Sequence, residues 1–276
     1  MIVGRNAPSL SQYVYAAEDD YEDIVPVQLP LEFFNSGIEG EMDKAIKKIY
    51  PDGVYDPNTA VDNVILATTN ERVNEWNDLI AKMNPNAEVS LKARSYFNQV
   101  DDNHGHLHRM LSDEVLQSYN DPTIPPHDLR LKVDDVCIIV RNLSTKDGIT
   151  NNTRVRIRQI KKHSIVATIL CENPVNITIP RIKFQFRMKY GSSFEMTRVQ
   201  FPLRRAFALT FNKSQGQTFK RVLLDLRSDV FSHGFLYVAM SRVRRYDDLF
   251  VLVSSDRYLD DGPVITNIVY QEALDK

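Results

Sequence analysis

With 276 residues, 43% of them hydrophobic and 25% charged, the chain holds enough apolar material for one large domain or two modest ones. A net charge of −2 excludes a uniformly basic nucleic-acid-binding domain, and two widely separated cysteines, Cys137 and Cys171, exclude a disulfide scaffold and a cysteine-based zinc site. The chain lacks both a charged start followed by an apolar run and any stretch of about 18 apolar residues, which predicts a nuclear or cytoplasmic protein that is neither secreted nor inserted in a membrane.

Charge is distributed unevenly. Acidic residues predominate from Glu18 to Asp56, and residues 1–60 are expected to form an acidic, partly helical segment with a helix-like run from Glu39 to Tyr50, ended by Pro51 and Gly53. Val64 to Thr69 is a compact apolar run that predicts a buried strand, and Asn70 is placed to cap the helix that follows. In that helix Val73, Trp76, Ile80 and Met83 recur at helical spacing, and Asn84-Pro85 stops it. Trp76 is expected in the core, although an exposed aromatic could stack on a base. Residues 86–128 are polar and weakly periodic, predicting loops with one helix near Ser112 to Ser118.

From Leu129 to Phe201 the pattern turns to short strands: Val136–Val140, Arg154–Arg158, Ile165–Leu170 and Ile177–Ile179. The alternation of Arg154, Arg156 and Arg158 with Val155 and Ile157 predicts a half-buried strand with its guanidinium groups on one face, continued by Lys161, Lys162 and His163. Such a face suits a phosphate backbone; it equally suits a solvated or protected edge. Strands are then expected at Arg205–Phe211, Val222–Leu226 and Leu249–Val253. A helix from Ser232 to Val243 is placed between the last two, with Ser232 as its cap and Phe235, Val238, Ala239 and Arg242 on one stripe. Apolar strands alternating with helices predict an α/β fold with a parallel sheet covered on both faces. The α/β domain is expected at 61–128 and 201–260, the β-rich insertion at 129–200 and a tail at 261–276.

The densest chemistry lies in Thr210-Phe-Asn-Lys-Ser-Gln-Gly-Gln-Thr218 and, about twenty residues later, Tyr237-Val-Ala-Met-Ser-Arg-Val243. A strand that breaks into a polar loop presents backbone N–H groups, a lysine and amides at its carboxyl end, where α/β folds bind ligands. Gly216 permits close backbone approach. Arg242 is unusual on an apolar helix unless it meets an anion or bonds the free carbonyls at the helix end.

These two segments resemble the fifth and sixth motifs of superfamily-one helicases of the PIF-one and RecD group. Asn212 before Lys-Ser-Gln-Gly resembles the Helitron-transposon version. Leu66-Ala-Thr-Thr-Asn-Glu-Arg-Val73 is similar to the fourth motif region, with Thr68 where the family usually has Pro. Ile124-Pro-Pro-His-Asp-Leu-Arg-Leu-Lys-Val133, Ile139–Leu143 and Asn152-Thr-Arg154 follow the family's inserted module, and the resemblance covers about Leu29 to Ser254.

The resemblance implies a second RecA-like motor domain carrying a small β-barrel-like insertion. It implies that Arg242 is an arginine finger and that the loop of Lys213, Ser214, Gln215 and Gly216 touches both the nucleotide and the DNA strand; Thr69, Asn70, Thr210 and Asn212 are the candidates for contact with single-stranded DNA, and the basic strand face adds Arg154, Arg156 and Arg158 as further candidates. A complete motor of this kind works 5′ to 3′ on ATP and Mg²⁺, held mainly by an N-terminal RecA-like partner domain. No Gly-x-x-x-x-Gly-Lys-[Ser/Thr] occurs in these 276 residues, and Asp113-Glu114 is not preceded by an apolar strand, so the phosphate-binding loop and acidic pair are expected elsewhere. The residues alone leave open a non-catalytic single-strand-binding protein. His104, His106 and His108 would share one side of an extended strand, but their polar surroundings favour a solvated loop over a metal site.

Overall fold

The computed structural model describes residues 24–28, 42–56, 62–97, 113–119, 121, 123–171, 173–190, 192–254, 258–259 and 262–268. The three histidines from His104 to His108 and the acidic residues before Ile24 lie outside them. Contacts divide the chain into two units, separated at Ile80/Ala81 and Ala206/Phe207. Residues 81–128, expected within the α/β part, thus belong with the insertion, because the strands they contain pair there.

The first unit opens with β1 (Ile24–Gln28), α1 (Met42–Ile49), β2 (Asn63–Ala67) and α2 (Asn70–Met83), whose last turn crosses the boundary. It resumes with β13 (Ala208–Thr210), β14 (Arg221–Asp225), α4 (Phe235–Met240), β15 (Leu249–Leu252), β16 (Tyr258–Leu259) and β17 (Gly262–Ile268). Strands β13, β2, β14 and β15 lie in that order in a sheet that is parallel throughout. Every residue of β2 is buried. Flanked by strands on both sides, Val64, Ile65 and Leu66 each contribute about 1.5–3 kcal/mol by leaving water. Within the tail expected at 261–276, β17 pairs antiparallel with β1 and with β16.

Helix α2 starts at Asn70, the residue expected to cap it, and its cap lies one residue earlier. The Thr69 hydroxyl accepts from the Arg72 amide at 3.3 Å, so Thr69 does the capping and Asn70 is already helical. Val73, Trp76 and Ile80 are buried as expected, whereas Met83, at the far end of the stripe, is 42% exposed. One turn on from Val73, the buried Asn77 donates to the Ala208 carbonyl at 3.1 Å and accepts from the Phe207 and Ala208 amides, both at 3.0 Å. That side chain replaces ladder partners at the break before β13. The single strand expected at Arg205–Phe211 is therefore two, one ending in each unit.

Helix α4 is also shorter than the expected Ser232–Val243. Gly234, at φ +74°, forms its start, with no side-chain cap from Ser232. The buried residues are Leu236, Ala239 and Met240, which turns Tyr237 to solvent and leaves Arg242 in the turn after the helix.

The second unit contains β3 (Val89–Lys92), β4 (Arg94–Phe97), α3 (Asp113–Ser118), β5 (Asp128–Leu131), β6 (Val136–Ile139), β7 (Arg154–Ile160), β8 (Ser164–Ile169), β9 (Asn176–Pro180), β10 (Ile182–Tyr190), β11 (Ser192–Gln200) and β12 (Leu203–Arg205). Its main sheet runs β12-β6-β7-β8-β9, antiparallel throughout. Leu91, Leu129 and Leu131 from the β3/β5 pair share its apolar core with Ile139, Val155, Ile157, Ile165 and Phe201. The long β10/β11 hairpin pairs with β4 in a separate sheet.

The buried Arg198 and the half-buried Arg204 pin the second unit together. Arg198 donates to the carbonyls of Pro125, Leu116 and Tyr119 at 2.9–3.1 Å, fixing α3 and the loop after it. Arg204 donates to the Asp121 and Ile124 carbonyls. The basic run in this part of the sequence is thus largely consumed internally.

Candidate functional site

In the parallel sheet Thr210 stands opposite Ala67, so the chain leaves β2 and β13 at the same edge, side by side. The carboxyl ends of parallel strands are where such sheets bind ligands, because side chains and backbone amides diverge there without blocking one another. A cavity of about 270 Å³ opens at this edge, lined by Thr68, Thr69, Asn70, Thr210, Phe211, Asn212, Phe231 and Phe235. Four of the expected DNA contacts, Thr69, Asn70, Thr210 and Asn212, are therefore brought together, although about 140 residues separate the two pairs. Their hydroxyl and amide groups present an uncharged polar surface.

Beyond Thr210 the chain forms one turn of 3₁₀-helix, Phe211–Ser214. Ser214 is fully buried and its hydroxyl donates to the Phe211 carbonyl at 2.7 Å. The nucleotide contact expected of Ser214 is corrected accordingly: its side chain closes the turn and has no surface to offer. Gln215 and Gly216 are exposed and Lys213 is half-buried. Gly216 adopts φ +79°, and nothing lies within 4 Å of where a Cβ would stand. Glycine is required there by backbone conformation, and the surrounding space is open to a ligand.

Arg242 joins the two segments of the double motif. Its Nε donates to the Val238 carbonyl at 2.7 Å, one Nη to the Gln217 carbonyl at 3.1 Å and the other to the Ser241 hydroxyl at 2.7 Å. The Phe219 amide donates to the Arg242 carbonyl at 2.8 Å, and Phe219 bridges Val243 in parallel register. The guanidinium thus satisfies one carbonyl in the last turn of α4 and grips the end of the Lys213–Gln217 loop with the same fork.

Sequence reasoning missed a charge cluster built on a buried aspartate beside this edge. Asp225, fully buried at the end of β14, accepts from the Trp76 indole at 2.7 Å and from Arg227 at 2.6 and 2.9 Å. Arg227 also pairs with Glu75 at 3.2 Å, and Glu75 with Arg72 at 3.0 Å. Burial works to lower the Arg227 pKa, but the Asp225 and Glu75 carboxylates outweigh it and the net shift is upward. Arg72 and Thr68 then reach Ser228, at 3.4 Å to its hydroxyl and 3.3 Å to its carbonyl. The cluster ties the segment after β14 to the start of α2. The one sequence signal was an aspartate terminating an otherwise apolar strand.

The remaining expected DNA contacts lie in the second unit, and two of them, Arg154 and Arg156, need correction. Arg154 and Arg156 are 6% and 2% exposed, because β7 is an inner strand and both its faces are covered. A solvated basic face across Arg154, Arg156 and Arg158 does not exist. Arg158 is exposed, donating to the Thr168 hydroxyl at 2.8 Å and lying 3.5 Å from Asp134, and the exposed Lys161, Lys162 and His163 follow it.

Comparison with known proteins places this geometry. Residues 114–160, within the second unit, match the family model for the 2B domain of DNA helicase Pif1. ATP-dependent DNA helicase PIF1 of Danio rerio is 29% identical over 135 residues, 45% of this chain and 19% of the relative. The Homo sapiens protein of the same name is 29% identical over 163 residues, 54% of this chain and 23% of the relative. The chain thus spans about a fifth of the length of these relatives. Among solved structures, Pif1 helicase from Candida albicans superposes with a TM-score of 0.55 at 17% identity, over 77% of this chain and 48% of that one. Pif1 from Bacteroides, in complex with ADP-AlF3 and single-stranded DNA, gives 0.53 at 18% identity, over 85% and 48%. The parallel four-stranded sheet with antiparallel β modules is a fold shared with these structures, and with the 2B match it makes the chain similar to part of the Pif1 DNA helicases, the part that includes the 2B domain.

Proposed function

We propose that this chain is the second motor half of an ATP-dependent helicase that travels 5′ to 3′ on single-stranded DNA. In this reading the strand crosses the carboxyl edge of the sheet at Thr69, Asn70, Thr210 and Asn212, while the neighbouring Lys213–Gln217 loop faces a nucleotide held by an N-terminal RecA-like domain. Lys213, Gln215 and Gly216 serve that nucleotide, and ATP and Mg²⁺ are bound mainly by the other domain. Arg158 and the lysines after it add a phosphate contact from the 2B region. Asn212 before Lys-Ser-Gln-Gly favours a Helitron-type motor and hence transposition over replication, repair, recombination or telomere maintenance.

The observation that carries this reading is the three-way bonding of Arg242. One guanidinium holds both the end of α4 and the loop that borders the cavity. Exchanging its bond to the Gln217 carbonyl for a phosphate oxygen would release the loop as charge develops on the nucleotide, coupling hydrolysis to the DNA-facing edge. A fixed cation at a transferring phosphoryl group is worth about 10³–10⁵ in rate.

The test has two arms. The 276-residue chain alone, with or without single-stranded DNA, should show no ATP turnover; clear turnover would sink the half-motor reading. Joined to the N-terminal RecA-like domain of a Pif1 helicase, it should hydrolyse ATP in a DNA-stimulated manner. Arg242→Ala should then lower kcat by about 10³-fold or more with little change in KM. An unchanged kcat would leave Arg242 as a helix-end clamp. A single-strand-binding protein without turnover is the second reading, favoured by the three bonds that already occupy the Arg242 guanidinium; DNA binding by a joined protein that remains inactive would support it.

A further inference from the structure

We propose that Phe231, braced by Phe235, is a stacking platform for one nucleobase of the bound strand, a contact that rests on the DNA-site reading above. Phe231 is 60% exposed, an unfavourable position for a large apolar ring that packs into no core. It lines the same cavity as Thr69, Asn70, Thr210 and Asn212. Phe235 meets it edge to face, with ring centroids 5.1 Å apart and planes at 71°. That geometry fixes the orientation of the pair and occupies at most one face of the Phe231 ring, leaving a face for a planar ligand.

The segment carrying Phe231 is anchored just upstream, where Thr68 and Arg72 hold Ser228 and Arg227 is locked to Asp225. The ring is therefore presented by a braced loop, which keeps the entropy cost of stacking low. At about 270 Å³ the cavity falls below the about 300–1,000 Å³ that suits drug-sized ligands, and its lining contains no charged side chain. A single base against the aromatic pair, with its sugar and phosphate on the hydroxyl and amide side, satisfies both halves of the lining. Because every base has a π-face, the subsite would grip the strand without reading its sequence.

The test is anisotropy of the full chain with a labelled oligothymidylate and with an abasic strand of equal length. Phe231→Ala should weaken binding to oligothymidylate about five- to tenfold and leave the abasic strand unaffected. Phe231→Leu, which keeps an apolar side chain without a π-face, should behave like alanine. Phe231→Trp should retain affinity, and its indole emission should be quenched by oligothymidylate but not by the abasic strand. Equal loss on both strands, or no loss on either, overturns the stacking platform. The DNA-site reading is judged separately by Thr210→Val with Asn212→Ala, which should weaken both strands alike. If those two substitutions change nothing while Phe231→Ala discriminates between the strands, the polar contacts fail and the platform stands. If the wild-type chain binds neither strand, both fall.

Discussion

Asp225 ends a buried strand, and its carboxylate has no access to water. An isolated charge there would cost several kcal/mol, and the Trp76 indole and the Arg227 fork offset that cost with three donors. The arrangement explains why Trp76, fully buried on the core face of α2, is a tryptophan: the site needs an apolar body with one donor at its edge. Removing one partner should therefore be far worse than removing the pair. Asp225→Ala is expected to destabilise the protein by about 3–5 kcal/mol, leaving Arg227 largely buried without its main counter-charge. Trp76→Phe, which preserves ring packing and deletes one donor, should cost about 1–3 kcal/mol. The double substitution Asp225→Ala with Arg227→Met should recover part of the loss. Urea unfolding of each variant measures these values; a double variant as unstable as the sum of the singles would show that the two side chains do not act together.

Elements were legible where a single physical requirement governed them. The runs at Val64, Val222 and Leu249 are too continuously apolar to leave a face to water, which predicts buried parallel strands, and all three are. Boundaries set by competition between neighbours were not legible. Thr69 and Asn70 are both good caps, and only the backbone path out of β2 makes Thr69 the one whose oxygen reaches the Arg72 amide. Ser232 looked like a cap for α4, yet Gly234 in the left-handed region starts the helix and rotates its buried face by a residue. The alternating arginines of β7 were misread because alternation reports a half-solvated sheet, and an inner strand with both faces covered breaks that assumption. At the site, both motifs could be located from residue types, but the Asp225 cluster and the aromatic rim depend on contacts across more than 140 residues. The cap assignment yields a direct comparison. Thr69→Ala should cost about 0.5–1 kcal/mol, at the lower end because the bond is long, while Asn70→Ala should be close to neutral in stability. Thermal melts of the two variants decide it, and the reverse order would return the cap to Asn70.

At the scale of the whole molecule, the division at Ile80/Ala81 and Ala206/Phe207 gives the second unit its own apolar core and its own internal anchors, since Arg198, Arg204 and Gln200 all bond groups within it. Residues 81–206 should therefore fold when expressed alone. That fragment carries a pH signature. His127 lies beside Ser95, with its ring nitrogen 3.4 Å from the hydroxyl. Burial first, and then the positive charges of Arg198 and Lys92, hold its pKa below the ordinary 6.5. In the unfolded chain the imidazole takes up its proton near 6.5, whereas in the folded unit it does so only at lower pH. Between those two values the unfolded state binds more protons, so stability is fully present above 6.5 and declines as pH falls toward the folded value. Asp121 and Asp128, both lowered from 3.8, act in the same direction at more acid pH. Melting temperatures of the fragment should thus be level above about pH 7, begin to fall as pH drops below about 6.5, and fall again below about pH 4. His127→Gln should remove the first decline and leave the second. A first decline that persists in His127→Gln would assign it to another group, and a fragment without a cooperative melt would mean that the second unit needs the first in order to fold.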